Sequence, residues 1–121
     1  MSSIEKILEK VVSESDSNKA FNIRAYLAKD KSLTDYYVLM SVNNYIHSKT
    51  ILKELSKLIK KFIADEESMD FYQALRVSGS PGSGWVVIDL NSIIVHILDS
   101  QVREFYELDS LFEQKGIVYH Y

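Results

Sequence analysis

Apolar and polar positions divide the chain into alternating helical and extended segments. Residues 4–12 place Ile4, Ile7, Leu8, Val11 and Val12 on one stripe, with Glu5, Lys6, Glu9 and Lys10 outward, which is the spacing of an amphipathic helix. Ser13 to Lys19 is polar and reads as a turn. From Phe21 to Ala28 the residues Phe21, Ile23, Ala25 and Leu27 alternate with Asn22, Arg24 and Tyr26, predicting a half-buried strand. Tyr36 to Val42 is continuously apolar apart from Ser41 and suits a strand covered on both faces. After Asn43-Asn44, with Asn44 or Ser48 as the candidate cap, Ile51, Leu52, Leu55, Leu58, Ile59, Phe62 and Ile63 form the stripe of a long helix. Lys49, Lys53, Lys57 and Lys60 lie opposite it, a solvated basic back.

An acidic connection, Asp65 to Asp70, leads to a candidate strand at Tyr72–Val77 and a glycine-rich loop, Ser78 to Gly84. Two β-branched runs then flank Asn91-Ser92, the signature of a hairpin. Pairing outwards from Leu90 and Ile93 sets Asp89 against Ile94, Ile88 against Val95, Val87 against His96, Val86 against Ile97 and Trp85 against Leu98. One face is then wholly apolar: Val86, Ile88, Leu90, Ile93, Val95 and Ile97. The other mixes Trp85, Val87, Asp89, Ile94, His96 and Leu98, and its polar atoms need partners if buried; Asp89 lies diagonal to His96 and is positioned to pair with it. Asp99 or Ser100 caps a last helix with the stripe Val102, Phe105, Tyr106, Leu108 and Phe112. Gly116 stops that helix before a short terminal strand at Ile117–Tyr121. The order α-β-β-α-β-β-β-α predicts an α/β (α+β) fold in which a mixed sheet packs with helices.

Composition narrows the function. A chain of 121 residues is one domain, 1–121, with room for a core. The absence of cysteine excludes disulfides and thiolate metal sites. No run is long enough to span a membrane, and Glu5 and Glu9 do not fit a targeting sequence, so a cytoplasmic protein is expected. The net charge is −3, and positive charge gathers only at Lys57, Lys60 and Lys61; little direct contact with RNA is expected, any association running through a protein partner.

Catalytic patterns are thin. The glycine-rich loop is not followed by Lys-Ser or Lys-Thr and precedes a strand, so it is no phosphate-binding loop and reads as a flexible connection. No serine sits in a nucleophile elbow, and His47, His96 and His120 lie on different elements without metal-ligand spacing. A nucleotide-transfer enzyme would place a Gly-Ser element before paired carboxylates, whereas here the strand reads Asp89-Leu90-Asn91; two-metal chemistry needs more acids than that. No catalytic residue, metal or cofactor is expected. Trp85 reads as core or interface anchor, and the aromatic, acid and imidazole sharing its face favour the interface.

Leu33-Thr34-Asp35-Tyr36-Tyr37-Val38-Leu39, Trp85-Val86-Val87-Ile88-Asp89, Val95-His96-Ile97 and Arg103-Glu104-Phe105-Tyr106-Glu107-Leu108, in that order, resemble the ribosomal silencing factor (Iojap-like) family over about residues 4–113. The resemblance implies a mixed-sheet fold related to nucleotidyltransferases but without their catalytic carboxylates. It implies a translational repressor, acting especially under nutrient limitation, that binds large-subunit ribosomal protein fourteen and sterically blocks joining of the two ribosomal subunits. Trp85, Val86, Asp89, His96, Arg103 and Tyr106 would form or support the contact, and a homodimer in the free state is left open. The alternative is a nucleotidyltransferase-like enzyme using a nucleotide and a divalent metal. The chain departs from the family pattern at Val42 and Ile46, at Ser78-Gly79, and at Leu90-Asn91-Ser92, where Ser92 replaces a carboxylate.

Overall fold

The turn expected at Ser13–Lys19 is mostly helix. In the computed structural model, which describes residues 2–65 and 75–120, α1 runs Ser3–Ser17. Ser2 and Glu5 cap it reciprocally. Ser15 continues the buried stripe of Ile7, Leu8, Val11 and Val12 because its hydroxyl donates to the Val11 carbonyl, 2.7 Å away. A polar residue that satisfies itself within the helix does not end it. The end comes where the Asn18 N–H bonds back to Glu14 and Ser15 and Lys19 turns left-handed, with φ of 72°.

β1 (Phe21–Ala28) and β2 (Tyr36–Val42) pair antiparallel, and every residue of β2 is buried, as its unbroken apolar run predicts. β1 departs from simple alternation because Tyr26 and Ala28, on its second face, are also buried. α2 spans Tyr45–Asp65. Asn44 is its cap, accepting from the His47 N–H at 2.9 Å. Ser48 is buried inside the helix instead, its hydroxyl without a hydrogen-bond partner among the described residues.

The glycine-rich segment is more ordered than a flexible connection. β3 covers Arg76–Ser80, Pro81–Ser83 make a single 3₁₀ turn, and β4 (Trp85–Asp89) returns antiparallel to β3. The expected strand at Tyr72–Val77 lies partly outside the described residues; the strand found there begins at Arg76. β5 (Ile93–Asp99) pairs with β4 in the register read from the sequence, from Trp85 opposite Leu98 to Asp89 opposite Ile94. Asp99 then caps α3 (Ser100–Phe105) by accepting from the Gln101 N–H. The single last helix expected is in fact two. Glu107, at φ 48°, breaks it, and α4 follows at Leu108–Lys115. β6 (Gly116–His120) closes the order by pairing with β1.

The sheet runs β3-β4-β5-β2-β1-β6, antiparallel except for the parallel β2–β5 junction, which makes it mixed, as expected. Its first face, with Val86, Ile88, Leu90, Ile93, Val95 and Ile97, joins the stripes of α1 and α2 in the main core. The second face carries a smaller core in which Tyr26, Tyr37, Leu39 and Leu98 meet Leu108 and Phe112 of α4. Among the described residues no helix is long and apolar enough to cross a membrane.

Candidate functional site

The second face is only partly roofed. α3 and α4 cover the smaller core, while Trp85, Val87, Asp89 and Ile94 at the β4 side stay half-buried. This is the mixed face of the hairpin, and its polar atoms find partners as follows.

Trp85 Nε1 donates to His96 Nδ1 at 3.0 Å. Tryptophan has only a donor there, so the bond requires His96 to keep Nδ1 unprotonated. Val87 stands opposite His96, and Trp85, opposite Leu98, reaches it diagonally across two residue positions. His96 is 8% exposed, and its ring lies 4.9 Å from that of Phe112. Burial, helped by the nearby charge of Lys115, lowers its pKa to about 4, so the imidazole is neutral and structural at physiological pH.

Asp89 does not pair with His96. It stands opposite Arg76 on β3 and bonds that guanidinium at 3.2 Å, while its other oxygen accepts the Asn91 N–H at 2.7 Å. That second bond fixes the hairpin turn, in which Asn91 takes φ of 72°, a left-handed value asparagine tolerates. The carboxylate is thus occupied in holding two strands and a turn.

Arg103 is a buried tie. At 5% exposure it forks onto Asp109, Nε at 3.0 Å and the terminal nitrogen at 2.6 Å. Its other nitrogen donates to the Asn22 carbonyl (2.6 Å) and to Ser41 Oγ (3.1 Å). Asn22 sits at the irregularity between Phe21 and Arg24, with φ of 50°, so the guanidinium satisfies a carbonyl that the distorted ladder leaves unpaired. These hydrogen bonds from Arg103 hold the Asp109 carboxyl below its usual range.

The six residues singled out from the sequence therefore occupy four different positions. Trp85, His96 and Tyr106 come together, the Trp85 ring lying 6.0 Å from His96 and 6.1 Å from Tyr106. Asp89 borders them at the surface. Val86 is fully buried on the opposite face, and Arg103 braces α3 from beneath, so neither offers a side chain to solvent. Sequence reasoning passed over Phe105, which is 78% exposed and packs edge-on against Tyr106 at 4.9 Å. Its apolar type at a helical spacing read as core; the short polar pair at Glu107 and Asp109 was the available sign that the helix breaks there.

Rings thus run in series from the smaller core outwards: Tyr37, Phe112, His96, Trp85, Tyr106 and Phe105, with successive centroids 4.9 to 6.1 Å apart. The surface they reach is open and apolar, with Tyr106 58% exposed. Among the described residues no group of three or more histidines and acids is placed to hold a metal ion. Such a surface suits macromolecular contact better than enclosure of a small molecule.

Comparison with known proteins bears on the family and the fold. A family described as ribosomal silencing factor during starvation matches residues 1–119. A ribosomal silencing factor from Zymomonas mobilis is 27% identical over 109 residues, covering 89% of this chain and 76% of that protein. A mouse protein named for mitochondrial assembly of the ribosomal large subunit is 25% identical over 79 residues, 65% of this chain and 32% of its own. A crystal structure from Bacillus halodurans superposes with a TM-score of 0.74 at 24% identity, covering 97% of this chain and 99% of that one, and so shares the fold.

Proposed function

The chain belongs to the ribosomal silencing factor family, a family of ribosome-associated translation regulators, and from that premise we propose that it docks on the large ribosomal subunit through the Trp85 face. In this reading the partner is large-subunit ribosomal protein fourteen, and the bulk of the domain then stands where the small subunit must join. Repression is by occlusion and needs no chemical step. The observation that carries the reading is the uncovered, apolar part of the sheet's second face, where half-buried Trp85, Val87 and Ile94 continue into exposed Tyr106 and Phe105. The only carboxylate on that strand pair's face, Asp89, is engaged by Arg76 and Asn91, which leaves a nucleotide-transfer reading without a supporting observation.

Co-sedimentation with purified large subunits tests this. Wild-type protein is expected to pellet with them and to reduce joining when small subunits are added. Val87→Glu, at a half-exposed position, is expected to melt like wild type yet to lose most of its binding, because a charge is then forced into an apolar contact. Wild-type protein that stays in the supernatant would refute the proposal, and a Val87→Glu variant that still pellets would move the contact to another face.

A further inference from the structure

The α3–α4 elbow combines features that a merely solvated turn does not need. Phe105 is more exposed than any other large apolar side chain among the described residues. It is not loose, since Tyr106 packs against it edge-on and Trp85 backs Tyr106. The elbow beneath is closed across six residues by the two-pronged bond of Arg103 to Asp109, and Arg103 is anchored in turn to β1 and β2. Glu107 takes a left-handed conformation at the bend, which a residue with a side chain adopts only at a cost. A costly bend closed by a buried arginine holds one phenylalanine clear of the surface.

The surroundings say what such a side chain would meet. From Ser100 to Lys115 there are four acidic side chains and two basic ones. Arg103 is buried and committed to Asp109, which leaves Glu104, Glu107 and Glu113 exposed against Lys115 and, from β1 near Asp109, Arg24. An acidic rim repels RNA phosphates and complements a basic protein surface. Aromatic side chains in desolvated pockets are the usual anchors of protein contacts.

We infer that Phe105 is the anchor of the docking surface, inserting into an apolar pocket on a basic protein face, and that Arg103 and Asp109 are positioning residues that hold it ready. The inference rests on the ribosome-binding reading and adds the chemistry of the partner. RNA as the occupant is the alternative that the test separates.

The experiment is a double-mutant cycle read by affinity for purified large subunits, with melting followed on each variant. Phe105→Ala is expected to leave the melt unchanged, because the side chain is exposed, and to weaken binding by about tenfold or more. Asp109→Ala opens the elbow while Arg103 keeps its two other acceptors. In that background Phe105→Ala should cost much less than it does in wild type, whereas an Asp109 serving stability alone would leave the two losses additive. Glu104→Lys should weaken binding to a basic protein. If it tightens binding instead, RNA lies at the elbow and the stated partner is wrong. Binding within about twofold of wild type for Phe105→Ala overturns the anchor, and loss of binding by Val87→Glu alongside it shows that the wider docking reading survives. Wild type that fails to bind overturns both.

Discussion

At the scale of single residues, the Trp85–His96 bond makes a prediction about pH. The folded chain holds His96 near pKa 4, whereas the unfolded chain takes up that proton near 6.5. Stability from this site is therefore full above pH 6.5 and drains as pH falls towards 4, by about 3 kcal/mol at ~1.4 kcal/mol per unit. His96→Gln keeps an acceptor for Trp85 but does not titrate, so its stability should decline less across that window than wild type's; an equally steep decline would rule out His96 as the source. The alternation of the hairpin was enough to place Trp85 and His96 on one face, because the register follows from counting out of the turn. It was not enough to say who pairs with whom. Asp89 bonds Arg76 because β3 sets the two directly opposite, and the start of β3 was not readable in a polar, glycine-containing segment. The burial of Arg103 was equally hidden, since an arginine on a short helix ordinarily reads as solvent-facing, and its three partners lie on β1, β2 and α4.

Among the elements, the last helix shows where periodicity misleads. Val102, Phe105 and Tyr106 keep one phase, but Leu108 follows only two residues later and starts another with Phe112; the slip is the break at Glu107. Glu107→Gly should relieve the left-handed strain and raise stability by up to about 1 kcal/mol, measured by urea unfolding, and a loss would mean that the Glu107 side chain supports the bend. The β3–β4 edge depends on Gly79 in the opposite sense. A Cβ there would lie 2.2 Å from the Trp85 carbonyl oxygen at φ of 75°, so Gly79→Ala should unpair β3, seen as faster amide exchange in Arg76–Ser80 with β2 and β5 still protected. Uniformly unchanged exchange would show that the strand yields to the methyl at little cost. By contrast β2 was legible residue for residue from its unbroken apolar run, and the stripe of α2 was legible too, although its start was left between Asn44 and Ser48.

For the whole molecule, the mixed sheet follows from the order of elements, and its two cores follow from helices placed on both faces. What the order of elements leaves open is which strands are neighbours. The central junction joins β2 to β5, Val38 opposite Val95, with α2, β3 and β4 between them in the chain. Non-local pairing of this kind slows folding relative to helical bundles, to the order of milliseconds for mixed α/β domains. Stopped-flow refolding followed by Trp85, the sole tryptophan, should fall in that range; a microsecond phase carrying all the signal would mean that β4 and β5 gain their contacts before the centre closes. The same junction sets a timetable for synthesis. A growing chain has β1 and α2 early, but the main core stays open until β5 is made, and the aromatic series is complete only once α4 has followed it. The proposed docking face is therefore among the last parts of the domain to be completed as the chain emerges, because its rings come from β4, β5, α3 and α4.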